Sequence, residues 1–346
     1  MLQLSIIIFI GFAHTAFSSR TPESDYIKHS MIGALNKSID LIAFDTTPLN
    51  VTLEMEGVHW SNGAVFVQRM GPFLHYYSNP TFNLWLGSRV EGIMQLIQQS
   101  IWSEQVTGDF EFFLYVDDPP SYCLLRPPEG IRKTAGAFLL TINTLPSCMD
   151  VTIPDMNFLG WEAKYNLMMG LSAPKIRQVY FFGQESGSRR RYVNVSQDSK
   201  MLNVTIFQAN GPKSDKQENT CGFAYVLHLE GRAYSGRLKF LMMCGSVILA
   251  DFDVGYTEFW SVLLYPWKHY IPVTRTTLVP IVNDLERMPH IQQHLSNAAR
   301  DFARSALAPY LIPQYWGVVL RRLSHSVALR KLSRAPLNKT RVSMRI

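Results

Sequence analysis

Cysteine is scarce in this chain: four residues in 346, none of them spaced C-x-x-C. That excludes a disulfide-dense scaffold and leaves neither a zinc ribbon nor a dithiol redox motif to build on. Charge is sparse too, at 17% of residues against 47% hydrophobic and 12% aromatic. This balance excludes an intrinsically disordered chain, because there is ample apolar surface to bury. Several chemical signatures are missing altogether. There is no G-x-S-x-G elbow and no P-loop, which argues against a hydrolase of the elbow type and against a kinase. His290 and His294 stand four apart, but Ile291-Gln292 replaces the glutamate of H-E-x-x-H, so a zinc protease is unsupported. Beyond the N-terminal segment, no stretch approaches the ~20 apolar residues that a membrane span needs.

That N-terminal segment, MLQLSIIIFIGFAHTAFSSR, has signal-peptide length, with the small residues Ala16 and Ser18 placed for a cut after Ser18. No Lys or Arg precedes the run, so a cleaved signal and an uncleaved signal anchor both stay open. Secretory entry fits the N-x-S/T acceptors at Asn36, Asn50, Asn194, Asn203 and Asn338. In an oxidising lumen, Cys123, Cys148, Cys221 and Cys244 are enough for two bridges. The net charge of +6 is unevenly placed, because Arg321 to Ile346 holds eight Lys or Arg and no acid. A basic tail suggests nucleic acid. No recognition fold accompanies it, and a secretory protein rarely meets nucleic acid, so a solvated or membrane-surface tail is expected.

The length suits two domains. Residues 1–18 are expected to target the chain, 19–60 to extend into the fold, 61–172 and 173–316 to form two α/β domains, and 317–346 to be the tail. Gly63 to Arg69 predicts a strand. Val90, Ile93, Met94, Ile97 and Ile101 give Arg89 to Trp102 a helical stripe. Phe110 to Val116 is a strongly apolar strand, so strand, helix and strand open a Rossmann-like half. Ala137 to Asn143, Gln178 to Phe182 and Val204 to Gln208 predict further strands, and Ile153 to Ala163 an irregular loop. Leu278 to Leu285 and Pro289 to Leu307 read as helices.

The stretch His228 to Leu249 carries the sharpest local pattern. Leu238, Leu241 and Met242 give one apolar helix face, Cys244-Gly245 a helix stop, and Ser246 to Ala250 a buried strand. Arg232, Ser235, Arg237 and Lys239 then gather near a helix N-terminus. That end of a helix disfavours cations and attracts anions, so the cluster makes sense if a phosphate sits there. A solvated helix start is the alternative.

Gly231, Ser235, Arg237, Lys239, Cys244, Gly245 and Ser246 form G-x-x-x-S-x-R-x-K…C-G-S. Glu258, Phe259, Pro266, Trp267, His269, Tyr270, Pro272 and Val273 continue it as E-F-W…P-W-x-H-Y-I-P-V. This block resembles the capsule-associated (CAP) glycosyltransferase family, which includes the Rumi-type and KDEL-motif-containing protein O-glucosyltransferases. The resemblance implies an α/β fold of two Rossmann-like domains facing a cleft, a GT-B-like architecture, with a nucleotide-sugar donor bound by the second. The donor-binding residues it implies are Gly183, Arg232, Ala233, Tyr234, Ser235, Gly236 and Arg237, with Cys221 and Cys244 bridged around them. Asp118 falls where the family's V-R-D-x-P has its catalytic base, and Asp117 replaces the arginine. Pro154 to Glu162 resembles an aromatic loop near donor and acceptor, in which Phe158 and Trp161 match and Leu159 replaces a tryptophan. Phe181-Phe182-Gly183 stands where the family has F-R-G, whose arginine contacts phosphate. Phe182 lacks that charge; Arg189 to Arg191, a few residues on, could compensate, although three arginines in a turn are usually just solvated.

The expected function is inverting transfer of glucose or xylose from a UDP-sugar to a hydroxyl of a protein or glycan acceptor. No metal or other cofactor is expected, and no nucleic-acid partner. The setting is the secretory pathway, with membrane anchoring possible only through the N-terminal segment. The C-terminus has no K-D-E-L-type signal, so the endoplasmic reticulum, the Golgi and the exterior all stay open. One alternative is a catalytically silent family member that acts as a binding protein. Another is a metal-dependent transferase using the D-x-D of Asp251 and Asp253.

Overall fold

The computed structural model describes residues 64–78, 84–117, 139–145, 151–208, 216–328 and 340–346. In chain order the strands are β1 (Ala64–Met70), β2 (Phe73–Ser78), β3 (Phe110–Tyr115), β4 (Leu139–Thr141), β5 (Val151–Thr152), β6 (Ile176–Gln184), β7 (Leu202–Phe207), β8 (Phe223–Leu229), β9 (Val247–Asp251), β10 (Ile271–Pro272) and β11 (Thr340–Arg345). The helices are α1 (Leu84–Ser103), α2 (Trp161–Met169), α3 (Gln217–Thr220), α4 (Leu238–Leu241), α5 (Leu278–Glu286), α6 (Pro289–Ala306) and α7 (Leu311–Ala328). Among the described residues no helix is long and apolar enough to cross a membrane.

The chain forms two α/β units. Among the described residues, one takes those up to Trp161, Gly255–Val262 and those from Pro309 onward; the other takes Glu162–Val254 and Leu263–Ala308. The first change of unit therefore falls at Trp161, ahead of the expected division at 172. Two later stretches return to the first unit.

In that first unit the sheet runs β11-β2-β1-β3-β4-β5. Only β3, β4 and β5 are parallel, while β1, β2 and β11 extend the sheet antiparallel. It is thus a mixed sheet rather than a plain Rossmann half. The helical stripe holds: Val90, Ile93, Met94, Ile97 and Ile101 are all buried along α1. At Gly92 an added Cβ would lie 2.8 Å from that of Met156, so glycine lets α1 close on the following turn. The expected basic tail turns out to be structural. Trp316, Val319, Leu320 and Leu323 are buried on α7, which lies against α1 and β3. Strand β11 then pairs along all of β2, from Thr340 opposite Ser78 to Arg345 opposite Phe73. The sequence pattern missed this because alternating Arg341, Ser343 and Arg345 make an edge strand look like a solvated segment.

The second unit is a wholly parallel sheet in the order β10-β9-β8-β6-β7. Its strand β8, FAYVLHL, is an almost continuous buried run, as a strand covered on both faces should be. Val179, Phe181, Tyr225, Leu227, Val247 and Leu249 fill its core with Leu278, Val282 and Leu295 from α5 and α6. The connection from β6 goes outward to β7, and the chain then returns to β8 on the other side of β6. The direction of winding reverses between β6 and β8, and ligands bind at the carboxyl ends of strands at such a switch point.

Candidate functional site

Two turns leave the switch point and meet above it. One follows β6 and runs through Gly187–Tyr192; the other follows β8 through Glu230 to Arg237. The hydroxyl of Ser188 donates to the Glu230 carbonyl at 3.1 Å. Gly187 has φ +48°, and an added Cβ would lie 1.9 Å from the Gly231 carbonyl oxygen. No side chain fits there, so glycine fixes how closely the turns approach. A disulfide joins Cys221, just before β8, to Cys244, just after α4, and closes the segment that carries the second turn.

The helix expected to open at this turn is a single four-residue turn, α4. Its bonds mix two spacings: Leu238 N–H reaches the Ser235 carbonyl at 3.2 Å, and Leu241 N–H the Arg237 carbonyl at 3.1 Å. So short an element has little macrodipole to offer an anion. The positive charge at the site comes from side chains instead.

Arg237 donates from Nη1 to the Phe182 carbonyl at 2.8 Å, and its guanidinium lies 4.6 Å from the Phe181 ring centroid. Arg189 reaches the same ring from the other turn, at 5.6 Å. Its Nη1 donates to the Gln184 carbonyl at 3.2 Å and its Nη2 to Ser235 Oγ at 3.3 Å. Gly183 sits below the pair, where an added Cβ would meet Phe181 Cζ at 2.8 Å and Arg237 Nη2 at 3.2 Å. Ala233 and Ser235 are buried, Tyr234 and Gly236 half-buried, and Arg232 exposed. The structure therefore gathers Gly183, Ser235 and Arg237, adds Arg189, and turns Arg232 outward.

The electrostatics are one-sided. Burial lowers both guanidinium pKa values to about 10, and in Arg237 the charge of Arg189 adds to the effect. His228, buried at the end of β8, is pushed down to about 3 by burial, then by Arg237 and Arg189. It is therefore neutral, and its Nδ1 has no hydrogen-bond partner. Among the described residues no carboxylate pairs with Arg189 or Arg237. Two cations lie against one ring with no acid among the described residues to balance them, which is a site that favours an anion.

The neighbouring acids are committed elsewhere. Arg190 pairs with Glu185 at 3.4 Å. Arg191 bridges both acids of the D-x-D, reaching Asp251 at 3.3 Å and Asp253 at 3.0 Å. The Tyr192 hydroxyl donates to Asp251 at 2.9 Å, and burial followed by the Asp251 charge pushes its pKa up. The D-x-D pair is thus a clamp on the 187–192 turn.

Two further expected site residues, Phe158 and Trp161, lie in the first unit. Phe158 and Trp161, expected to stack on a sugar, are only 2% and 3% exposed. Their ring centroids are 4.7 Å apart, and Phe158 lies 5.4 Å from Phe259 in an edge-on contact. Both belong to a packed aromatic cluster, because the 153–163 stretch forms a capped turn running into α2 rather than an open loop. Asp155 caps that turn by accepting from the Asn157 N–H at 3.1 Å. Asp118, Cys123 and Cys148 lie outside the described residues, as does the N-terminal segment. Asp117 is half-buried just past β3. Near it, Arg89 Nη1 donates to the Val116 carbonyl at 2.8 Å, which brings a guanidinium from α1 to that strand end.

Comparison with known proteins finds a family match. The sequence profile of glycosyl transferase family 90 matches residues 79–344. Protein O-glucosyltransferase 1 of Homo sapiens is 31% identical over 119 residues, which is 32% of this chain and 30% of that protein. O-glucosyltransferase rumi of Drosophila melanogaster is 30% identical over 111 residues, 30% of this chain and 26% of the other. Protein O-glucosyltransferase 3 of Homo sapiens is 25% identical over 162 residues, 43% and 32% of the two chains. The aligned stretches thus span about a third or less of these curated relatives. Two solved structures share parts of the chain. WaaG, a glycosyltransferase involved in lipopolysaccharide biosynthesis, has 11% identity and a TM-score of 0.35, covering 60% of this chain and 74% of that one. The GtfA/B complex has 12% identity and a TM-score of 0.33, covering 57% and 42%.

Proposed function

Because the chain belongs to glycosyl transferase family 90, we propose that it moves glucose or xylose from a UDP-sugar to a hydroxyl of a protein or glycan acceptor. The observation that carries this reading is the pair of guanidiniums, without a counterion among the described residues, at the switch point between β6 and β8. A nucleoside diphosphate supplies the missing negative charge, and the absence of a side chain at Gly183 lets the Phe181 ring and the Arg237 guanidinium close on the strand end.

The proposed chemistry is a single inverting displacement. The Asp118 carboxylate takes the proton of the acceptor hydroxyl as its oxygen attacks the anomeric carbon. The bond from that carbon to the diphosphate oxygen breaks, and UDP leaves with the electron pair. Proton removal of this kind is worth about 10²- to 10⁴-fold in rate. Arg237 stabilises the charge that builds on the leaving diphosphate, an effect of the oxyanion-hole kind. In this reading no step needs a metal, since Arg191 already holds the two acids of the D-x-D. The setting we propose is the secretory pathway.

The purified protein, offered a panel of UDP-sugars and followed by UDP release, should favour UDP-glucose or UDP-xylose, with activity surviving EDTA. Asp118→Asn should abolish transfer and spare UDP binding. Full activity in that variant would remove the base assignment. No calorimetric binding of any UDP-sugar at millimolar donor would instead favour the silent binding protein, to which Asp117, Leu159 and Phe182 point.

A further inference from the structure

We infer that Arg189 is a phosphate-binding residue of the donor site, supplying from the 187–192 turn the charge that position 182 lacks. The inference rests on the reading of this site as one for a nucleoside diphosphate.

The three arginines at 189–191 are alike in the sequence and differ in what they touch. Arg190 is exposed and spends its charge on Glu185. Arg191 spends its charge on Asp251 and Asp253. Arg189 alone of the three has no acid among the described residues. Its terminal nitrogens rest on two neutral oxygens, the Gln184 carbonyl and Ser235 Oγ, and its Nε is buried with no hydrogen-bond partner. A strut of the turn would pair its charge or turn it to water. This guanidinium instead lies against the Phe181 ring beside a second one, where the two repel each other. A bound diphosphate reverses the sign of that interaction, and the fork of a guanidinium suits two phosphate oxygens at once.

The neighbouring residues hold Arg189 in place. Arg191 ties the turn to the end of β9 through the two acids, and Arg275 Nη1 holds the Arg191 carbonyl at 3.3 Å. Phe182, whose ring centroid lies 5.0 Å from that of Phe207, faces away from the buried side that carries Phe181 and Gly183. The charge missing from the strand has therefore been moved to the turn that follows it.

The test is titration calorimetry of the full chain with UDP, uridine and inorganic pyrophosphate, using Arg189→Gln, Arg189→Lys and, as a control, Arg190→Gln. The expected result is about a 10- to 100-fold loss of UDP and pyrophosphate affinity in Arg189→Gln. Uridine affinity and the melting temperature should stay unchanged, with a smaller loss in Arg189→Lys and none in Arg190→Gln. UDP affinity equal to wild type in Arg189→Gln overturns the inference. Equal losses for uridine and UDP overturn it too, because they mean the turn has been reshaped. If Arg189→Gln does not fold, Arg189→Lys decides: pyrophosphate affinity at the wild-type level there overturns the inference. Wild-type protein that binds pyrophosphate through Arg189 but not UDP would sustain the anion site and defeat the nucleotide-sugar reading. Binding of neither ligand defeats both.

Discussion

At the scale of single residues, the site depends on space as much as on charge. Gly183→Ala would put a methyl group 2.8 Å from Phe181 Cζ and 3.2 Å from Arg237 Nη2. The ring and the guanidinium must both shift, so we expect UDP affinity to fall about tenfold, as for loss of one charge-assisted contact, with the fold intact by circular dichroism. Two histidines set an acid limit on stability. His228 and His269 are both held near pH 3 in the fold, from an ordinary 6.5, chiefly by burial. The unfolded chain takes up these protons as pH drops below about 6.5 and the folded one does not, so stability is lost as pH falls from there toward 3. By pH 5 the loss is on the order of 2 kcal/mol per histidine. Thermal melts at pH 7.5 and pH 5 should show it, and His228→Gln should make the slope shallower. Arg237 was legible in the sequence because it sits in a fixed-spacing motif. Arg189 was not, because nothing in three consecutive arginines says which of them finds an acid across the sheet.

At the scale of elements, the regular periods were legible and the short turns were not. Helix α1 declared itself through five apolar positions on one face. Strand β2 was hidden in a run of aromatics, and α2 in a stretch rich in turn residues. Helix α4 was over-read, because its apolar spacing continues past the four residues that hold helical bonds. The 187–192 turn depends on Arg191 bridging Asp251 and Asp253. Arg191→Ala should therefore weaken UDP binding less than Arg189→Gln does, with a raised KM and little change in kcat. The Cys221–Cys244 bridge closes 23 residues of sequence separation around β8 and α4. Chain-entropy reasoning puts such a closure at about 3 kcal/mol. Mild reduction should lower the melting temperature, and UDP should recover part of the loss, since a ligand of the native state stabilises it by mass action.

At the scale of the whole molecule, the pattern of strands and helices correctly indicated two α/β units, but the allocation of chain to each could not be read from it. Local patterning says what an element is; only tertiary pairing says which sheet takes it. That is why α7 and β11 looked like an end and a tail, although they complete the sheet and core of the first unit. Removing residues 340–346 leaves the β2 edge unpaired. We expect an earlier melting transition that UDP does not shift, with calorimetric UDP affinity unchanged.

The way these two units share the chain also sets an order on synthesis. Residues 162–308, apart from the short excursion 255–262, can close into the parallel-sheet unit as soon as they have left the ribosome. The strands made before them must wait, with β2 lacking its β11 partner, until residues 340–346 arrive to pair with it. Of the two units, the one whose strands are made first is thus completed second, and until residues 340–346 emerge β2 lacks the partner that covers its outer edge, the kind of edge chaperones recognise.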